Sequence, residues 1–335
     1  MDSLTQAALG AAVGYSVLGQ KLGRSALVIG AVLGTLPDLD VLVHYDDAVA
    51  SFTYHRSWSH SLFVLSLASL PIAMLISRLR PCPSTTFSRW WLGCWLVLIT
   101  HPLLDGFTIY GTQLFWPLPM APVSIGSIFI IDPLFTLPLI IGIVCAWRWR
   151  NRAGQRAVLT ALVISNAYLS WTVVAQNLTH QRVERQLAIS GIEASGVVIA
   201  PFPTTILWRT VVMDSPQYYE GFISLLDKSE DVRLTAYDSG RQQFSEYLSH
   251  WPVKQLDWFT KGAIALYQQN NELIVADLRM GIEDSYVFRF AVANLDNQSG
   301  NSTLSRKMPI KFDVERGRLL LQRVTDQNVV VGPLP

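Results

Sequence analysis

Apolar residues fall into six runs in the first half of the chain, at about 4–19, 25–43, 58–78, 90–105, 127–147 and 157–177. Crossing a bilayer core takes about 20 such residues, so the pattern predicts about six membrane helices, of which the first and fourth are the shortest. Beyond residue 178 the runs give way to alternation of apolar and polar positions. Stretches at 195–200, 206–213, 218–226, 264–268, 272–277, 286–294 and 319–323 predict strands. Helical spacing near 180–190 and 241–250 supplements them. The expected fold is therefore an α-helical membrane domain over 1–178, followed by a soluble α+β domain with an antiparallel sheet over 179–335.

Charge sharpens this division. Only 15% of the residues are charged, and most Asp, Glu and Lys lie in the second half, as expected if only that half meets water throughout. The net charge of +1 gathers into no basic face, which argues against nucleic acid as a partner. Cys82, Cys94 and Cys145 are odd in number and widely spaced, and suggest neither a disulfide framework nor a zinc ribbon. The first residues lack a basic region and a small-residue cleavage site, so they are expected to be retained.

Basic residues of the connections set orientation. Lys21 and Arg24, then Arg78, Arg80 and Arg89, then Arg148, Arg150, Arg152 and Arg156 mark the odd connections as cytoplasmic. Of the even connections, 44–57 carries only Arg56, and 106–126 has no Lys or Arg. Six spans would then put the N-terminus and the C-terminal domain outside the cytoplasm. Trp58, Trp90, Trp91, Trp116, Trp147 and Trp149 sit at run edges, as interfacial belts do.

Six ionisable residues share the outer ends of these runs. They are Asp38 and Asp40 in Leu36-Pro-Asp-Leu-Asp40, His55 and His60 in His55-Arg-Ser-Trp-Ser-His60, and His101 and Asp105 in His101-Pro-Leu-Leu-Asp105. Ionisable groups at membrane depth are costly, about 2.5–3.5 kcal/mol for Asp, Lys or Arg at mid-helix on insertion scales, and six at one depth need a shared reason. A spacing of four puts His101 and Asp105 one helical turn apart on one face, where both reach a single cation. Imidazoles with carboxylates suit zinc first, with manganese or iron as alternatives, in one ion or two. The expected ligands are His55, His60, His101 and Asp105, with Asp38 and Asp40 as ligands, or as the carboxylate that orients a ligating His. Asp38, Asp40 and Arg56 are also the candidate catalytic residues. Arg56 either holds a substrate phosphate or carboxylate or anchors the interface. Asp132 is a further ligand or an outer partner, while His44, Asp46 and Asp47 read as solvated loop residues. Ser57 or Ser59 is expected to cap the third helix.

These segments resemble a known family. Asp2-Ser-Leu-Thr-Gln-Ala-Ala-Leu-Gly10, Gly34-Thr-Leu-Pro-Asp-Leu-Asp40, His55-Arg-Ser-Trp-Ser-His-Ser61 and His101-Pro-Leu-Leu-Asp105 are similar, in that order, to motifs of the membrane-bound metal-dependent hydrolases of the YdjM type. The resemblance covers roughly 1–150, and the second half looks like the C-terminal extension of the longer members. It implies an integral protein of the bacterial inner membrane and a hydrolase using metal-activated water. Many members carry Thr-His near the N-terminus where this chain has Thr5-Gln6, leaving that position to an amide oxygen or to ordinary packing.

A site at the outer leaflet would meet the lipid bilayer first, so a lipid ester or phosphoester is the expected substrate class. Two other classes stand beside the enzyme. In one, the metal is structural and the external domain binds a partner protein. In the other, a transporter, ionisable groups would line a path near mid-membrane rather than gather at one face. In the second half, Asp277 and Arg279 read as a salt-bridged turn or a substrate contact.

Overall fold

Asp2 caps the first helix, its carboxylate accepting from the amides of Leu4 and Thr5, and α1 (Ser3–Leu22) follows. A break at Gly23 turns the chain into α2 (Arg24–Thr35). The computed structural model describes residues 1–149, 152–296, 304–310 and 314–332. They form two units, one of 1–43, 55–125 and 130–172, the other of 44–54, 126–129 and 173–335.

The first unit is helical. Gly10 and Gly14 of α1 face Gly30 and Gly34 of α2, and here the backbones touch. A Cβ on Gly10 would stand 2.3 Å from the Gly30 carbonyl oxygen, and one on Gly30 2.2 Å from that of Gly10. Close approach is thus written into four small positions. α4 (Leu62–Leu79) is capped by Ser61, whose hydroxyl accepts from the Val64 amide. α5 (Phe87–Gly106) lies against α4 through Trp91 and Trp95, which donate to Ser69 and Ser66, each at 2.9 Å. α6 (Pro133–Arg148) begins at a capping Asp132, and α7 (Arg152–Ser190) is a 39-residue helix whose residues after Thr172 belong to the second unit.

Among the described residues two helices are long and apolar enough to cross a membrane, α4 and α7. This corrects the expected count of about six. Pro37 ends the second run early by starting a 3₁₀ turn (Pro37–Leu42), so α2 has 12 residues, about 18 Å of rise. α6 has 16, about 24 Å, against a core of about 30 Å. α1 and α5 have 20 residues each, but Gln6, Gln20 and Lys21 in one, and Arg89, His101 and Asp105 in the other, dilute their hydropathy.

The second unit holds two four-stranded antiparallel sheets rather than the single sheet expected. The first joins β1 (Gly196–Pro201), β2 (Leu207–Asp214), β3 (Gln217–Ser224) and β4 (Leu234–Asp238) in sequence order. The second joins β5 (Ile264–Gln269), β6 (Glu272–Asp277), β7 (Arg289–Asn294) and β8 (Arg306–Lys307). Period two gives β2 two buried faces. Trp208 and Val212 pack with Val183 and Leu187 of α7, while Val211 and Met213 pack with Ala265 and Ala276 of the second sheet. Arg209 shares that inner face and is neutralised by Glu220 on β3 at 2.6 Å. Residues 319–323, expected as a strand, belong to α9 (Val314–Arg323), which buries Arg316, Leu320 and Arg323. The expected helix at 241–250 is a turn and a short 3₁₀ stretch, with α8 (Trp251–Thr260) after it. Asp47 caps α3 (Ala48–Tyr54), on which Phe52 meets Phe259, Phe288 and Phe290 with ring centroids 4.5–5.2 Å apart. Asp277 and Arg279 form a buried bidentate pair, with nitrogen to oxygen distances of 2.9 and 2.7 Å.

The glycine contact sets the first prediction. Gly30→Ala is expected to cost about 1–3 kcal/mol by overpacking against backbone, seen as a lower unfolding temperature by circular dichroism in detergent. Gly317→Ala in α9, where nothing stands within 4 Å of an added Cβ, is expected to be neutral or to stabilise by about 0.5–1 kcal/mol. Equal effects would refute the packing role of Gly30.

Candidate metal centre

Three short elements bring four side chains to one point. Pro37 opens a 3₁₀ turn carrying Asp38 and Asp40, a second such turn (Trp58–His60) presents His60, and the last turns of α5 carry His101 and Asp105. One ligand atom from each of Asp38, His60, His101 and Asp105 lies within 4.8 Å of the others. His60 Nε2 is 3.4 Å from Asp38 Oδ1 and 3.3 Å from Asp105 Oδ2. His101 Nε2 is 3.4 Å from each of the same oxygens. The two Nε2 atoms are 3.1 Å apart. Five of the six distances among these atoms are thus 3.1–3.4 Å, close enough for one cation to reach all four residues. The side chains of His60, His101 and Asp105 are buried, and that of Asp38 is 21% exposed, which leaves one open side.

The outer hydrogen bonds determine what the two imidazoles offer. His101 Nδ1 donates to the Gly34 carbonyl at 2.6 Å. Ser59 donates its hydroxyl to Asp40 Oδ2 at 2.6 Å, so its oxygen accepts from His60 Nδ1 at 2.9 Å. Assigned from these partners, both Nδ1 atoms carry the proton and both Nε2 atoms turn lone pairs toward each other. In the neutral rings two facing lone pairs at this distance repel, and either a proton on one Nε2 or a metal cation between them relieves the repulsion. Asp105 Oδ2 faces the same point, being buried without a hydrogen bond. Its Oδ1 accepts from Gln6 Nε2 at 3.0 Å and from the Met1 amino group. The donor set thus fits a divalent cation.

The other candidates lie around this group. His55, 25% exposed, bonds through Nδ1 to Asp40 Oδ1 at 2.8 Å and stands outside the four. Asp40 also receives the Arg56 amide at 2.9 Å. Burial alone would raise the Asp40 carboxyl, but the hydrogen bonds from His55, Ser59 and the Arg56 amide hold it below the usual carboxylate range. Arg56 has φ of +62°, a strained conformation for a residue with a side chain. Its buried guanidinium lies 5.0 Å from the Tyr110 ring centroid, with Nε 3.4 Å from Asp105 Oδ2. Asp132 caps α6 and accepts from the Tyr168 hydroxyl at 2.8 Å, apart from the four. Gln6 is buried, its Oε1 without a hydrogen bond. His44, Asp46 and Asp47 belong to the second unit.

Sequence reasoning missed Ser59 and the Gly34 carbonyl as the groups that orient the imidazoles. Ser59 had a signal in its place beside His60, but it reads equally as a cap; Ser61 fills that role. A backbone carbonyl leaves no signal.

A family model described as YdjM inner membrane protein matches residues 1–179. The Bacillus subtilis (strain 168) protein named Uncharacterized protein YfhP is 23% identical over 306 residues, which cover 86% of this chain and 89% of that protein. No solved structure matches.

Ser59→Ala is expected to weaken metal affinity about 10- to 100-fold by freeing the His60 ring, measured by competition with a chromogenic chelator. Asp132→Ala is expected to leave that affinity unchanged and cost about 1 kcal/mol of stability through the lost cap. The reverse pattern would overturn both assignments.

Proposed function

The chain belongs to the YdjM inner membrane protein family, and on that premise we propose that it is a membrane-bound, metal-dependent hydrolase acting on a lipid ester or phosphoester at the outer face of the membrane. The observation that carries this is the convergence of Asp38, His60, His101 and Asp105 on one point, with the Nδ1 of each imidazole engaged elsewhere and a buried Asp105 oxygen without a hydrogen bond. Asp38, His60, His101 and Asp105 hold the cation, for which zinc, manganese and iron are the fitting ions. When bound, it supplies Lewis acidity and an activated water near neutral pH.

The chain's own residues do the rest. Asp40, through Ser59, keeps His60 in the tautomer that ligates. Gly34 does so for His101. Gln6 fixes one oxygen of Asp105 and leaves the other for the centre. The partly exposed Asp38 marks the side by which substrate enters, and Leu39, Val41, Leu42 and Trp58, all exposed in the same unit, give that approach an apolar character that suits acyl chains.

The orientation proposed rests on the basic residues at the helix ends. Arg78 and Arg80 end α4, and Arg152 and Arg156 begin α7, so these ends face the cytoplasm. The centre gathers at the opposite ends of α4 and α5, where His60 meets His101 and Asp105, and so faces outward in this reading, as does the chain after α7.

Metal analysis of detergent-purified protein, with turnover of a panel of lipid esters and phosphoesters, tests the proposal. Wild type is expected to hold metal and to cleave at least one substrate, with chelation abolishing turnover. His60→Ala and His101→Ala are expected to lose the metal. Unchanged metal in both variants would sink the site. Retained metal without any turnover would favour a structural metal with a partner-binding C-terminal domain. Alkaline phosphatase fused after residue 335 is expected to be active, and an inactive fusion would refute the orientation.

A further inference from the structure

Two loops beside the candidate centre are apolar where loops are ordinarily polar. In the 3₁₀ turn Pro37–Leu42, Asp38 joins the candidate ligands while Leu39, Val41 and Leu42 are 53%, 71% and 77% exposed. The second loop reads Phe115-Trp-Pro-Leu-Pro-Met120, with Trp116, Leu118 and Met120 exposed and no charged residue anywhere in 106–126. Both loops are tied to the start of α4. Ser59, just before α4, donates to Asp40 at 2.6 Å, the Ser61 hydroxyl donates to the Trp116 carbonyl at 2.6 Å, and the Leu62 amide donates to the Leu114 carbonyl at 2.9 Å. α4 is one of the two helices long and apolar enough to cross a membrane, so its ends mark where a bilayer meets water. Single exposed apolar side chains are ordinary, but six gathered at the end of a spanning helix form a contact surface.

The backbone of both loops also suits hydrocarbon, where an N–H group without a partner is costly. In the turn, the Leu39 amide donates to the Leu36 carbonyl at 3.2 Å and the Val43 amide to the Asp40 carbonyl at 2.9 Å. In the second loop, the amides of Trp116, Leu118 and Met120 donate to the carbonyls of Gln113, Phe115 and Leu118 at 2.8–3.1 Å, and Pro117 and Pro119 have no N–H. We propose that these two loops insert among the acyl chains of the leaflet beside the candidate centre, which then opens into the membrane rather than into bulk water. Asp38, its partly exposed ligand, lies between Pro37 and Leu39 on the inserted turn, so a lipid reaches it by lateral diffusion without leaving the bilayer. His44, Asp46 and Asp47, next in sequence, keep the insertion shallow. Lateral access deepens the function given above and rests on that reading for its substrate; insertion itself needs neither metal nor turnover.

Photolabelling of wild-type full-length protein in nanodiscs tests this, with a phosphatidylcholine that carries a diazirine in the upper part of its acyl chain. Adducts are expected on residues 39–42 and 116–120 as well as on α4. Labelled α4 with either loop unlabelled would overturn the proposal. Quenching supplies a second readout, from a fluorophore on Leu42→Cys or Met120→Cys in a chain with Cys82, Cys94 and Cys145 replaced by alanine. A nitroxide on the upper acyl chain is expected to quench both labels, and aqueous iodide to quench them about fivefold less than a label on Lys228→Cys, a position exposed in the second unit. Iodide quenching equal to that at Lys228 would place the loops in water and refute insertion. Labels shielded from both quenchers would show that a protein partner or a second copy covers the loops, which also refutes it. Protein that inserts both loops but holds no metal and cleaves no lipid would sink the hydrolase proposal and leave this one standing.

Discussion

Four glycines let the backbones of α1 and α2 meet, and the position of the candidate centre follows from that approach. Gly34 acts twice. Having no side chain, it admits the backbone of α1 at Gln6 and Gly10, and its carbonyl takes the Nδ1 proton of His101. Gln6, on the facing stretch of α1, holds one oxygen of Asp105. Both residues of the α5 pair are thus aligned by a helix contact that has no room for a methyl group. Packing and chemistry are here the same constraint.

Electrostatics sets the second requirement. Asp105 and His60 are fully buried and His101 nearly so, an arrangement that would be expensive in an apolar helical unit were its polar atoms unsatisfied. The outward-facing atoms of three of the four residues have partners: Gly34 for His101, Ser59 for His60, Gln6 and the Met1 amino group for Asp105 Oδ1. The inward-facing atoms meet one another and, at Asp105 Oδ2, the Arg56 Nε at 3.4 Å. That asymmetry suits a ligand set better than a hydrogen-bonded core cluster, in which the same donors and acceptors would pair internally.

How much of this was legible in the sequence depends on how local each feature is. The spacing of His101 and Asp105 is a property of one helix, and it placed both on the inner face. The apolar run at 58–78, found as α4 over Leu62–Leu79, and the strand alternations at 206–213 and 272–277 were readable for the same reason. Where the chain bends, sequence order stops predicting direction. His55 and His60 look equivalent on paper, but the 3₁₀ turn at Trp58–His60 sends His60 inward and leaves His55 on Asp40. Hydropathy counts apolar residues without locating the proline that ends a helix, so the run at 25–43 looked longer than α2 is. Arg209 broke the apolar pattern of β2 yet is buried, because its partner Glu220 lies on the adjacent strand.

Asp40 links the two halves of the site. One of its oxygens takes both the Ser59 hydroxyl and the Arg56 amide, and the other takes His55. The first bond reaches His60 through Ser59 and so bears on the cation-facing group. The second holds Arg56 in its left-handed conformation and so bears on the guanidinium. A carboxylate kept ionised by its donors can serve both at once, since each bond draws on the same negative charge. The orientation of the ligand and the strain at the arginine are therefore coupled through one side chain, and neither can relax alone. This coupling gives a physical reason for the Asp-x-Asp spacing of the turn: Asp38 faces the candidate centre, and Asp40, on the same turn, organises what surrounds it.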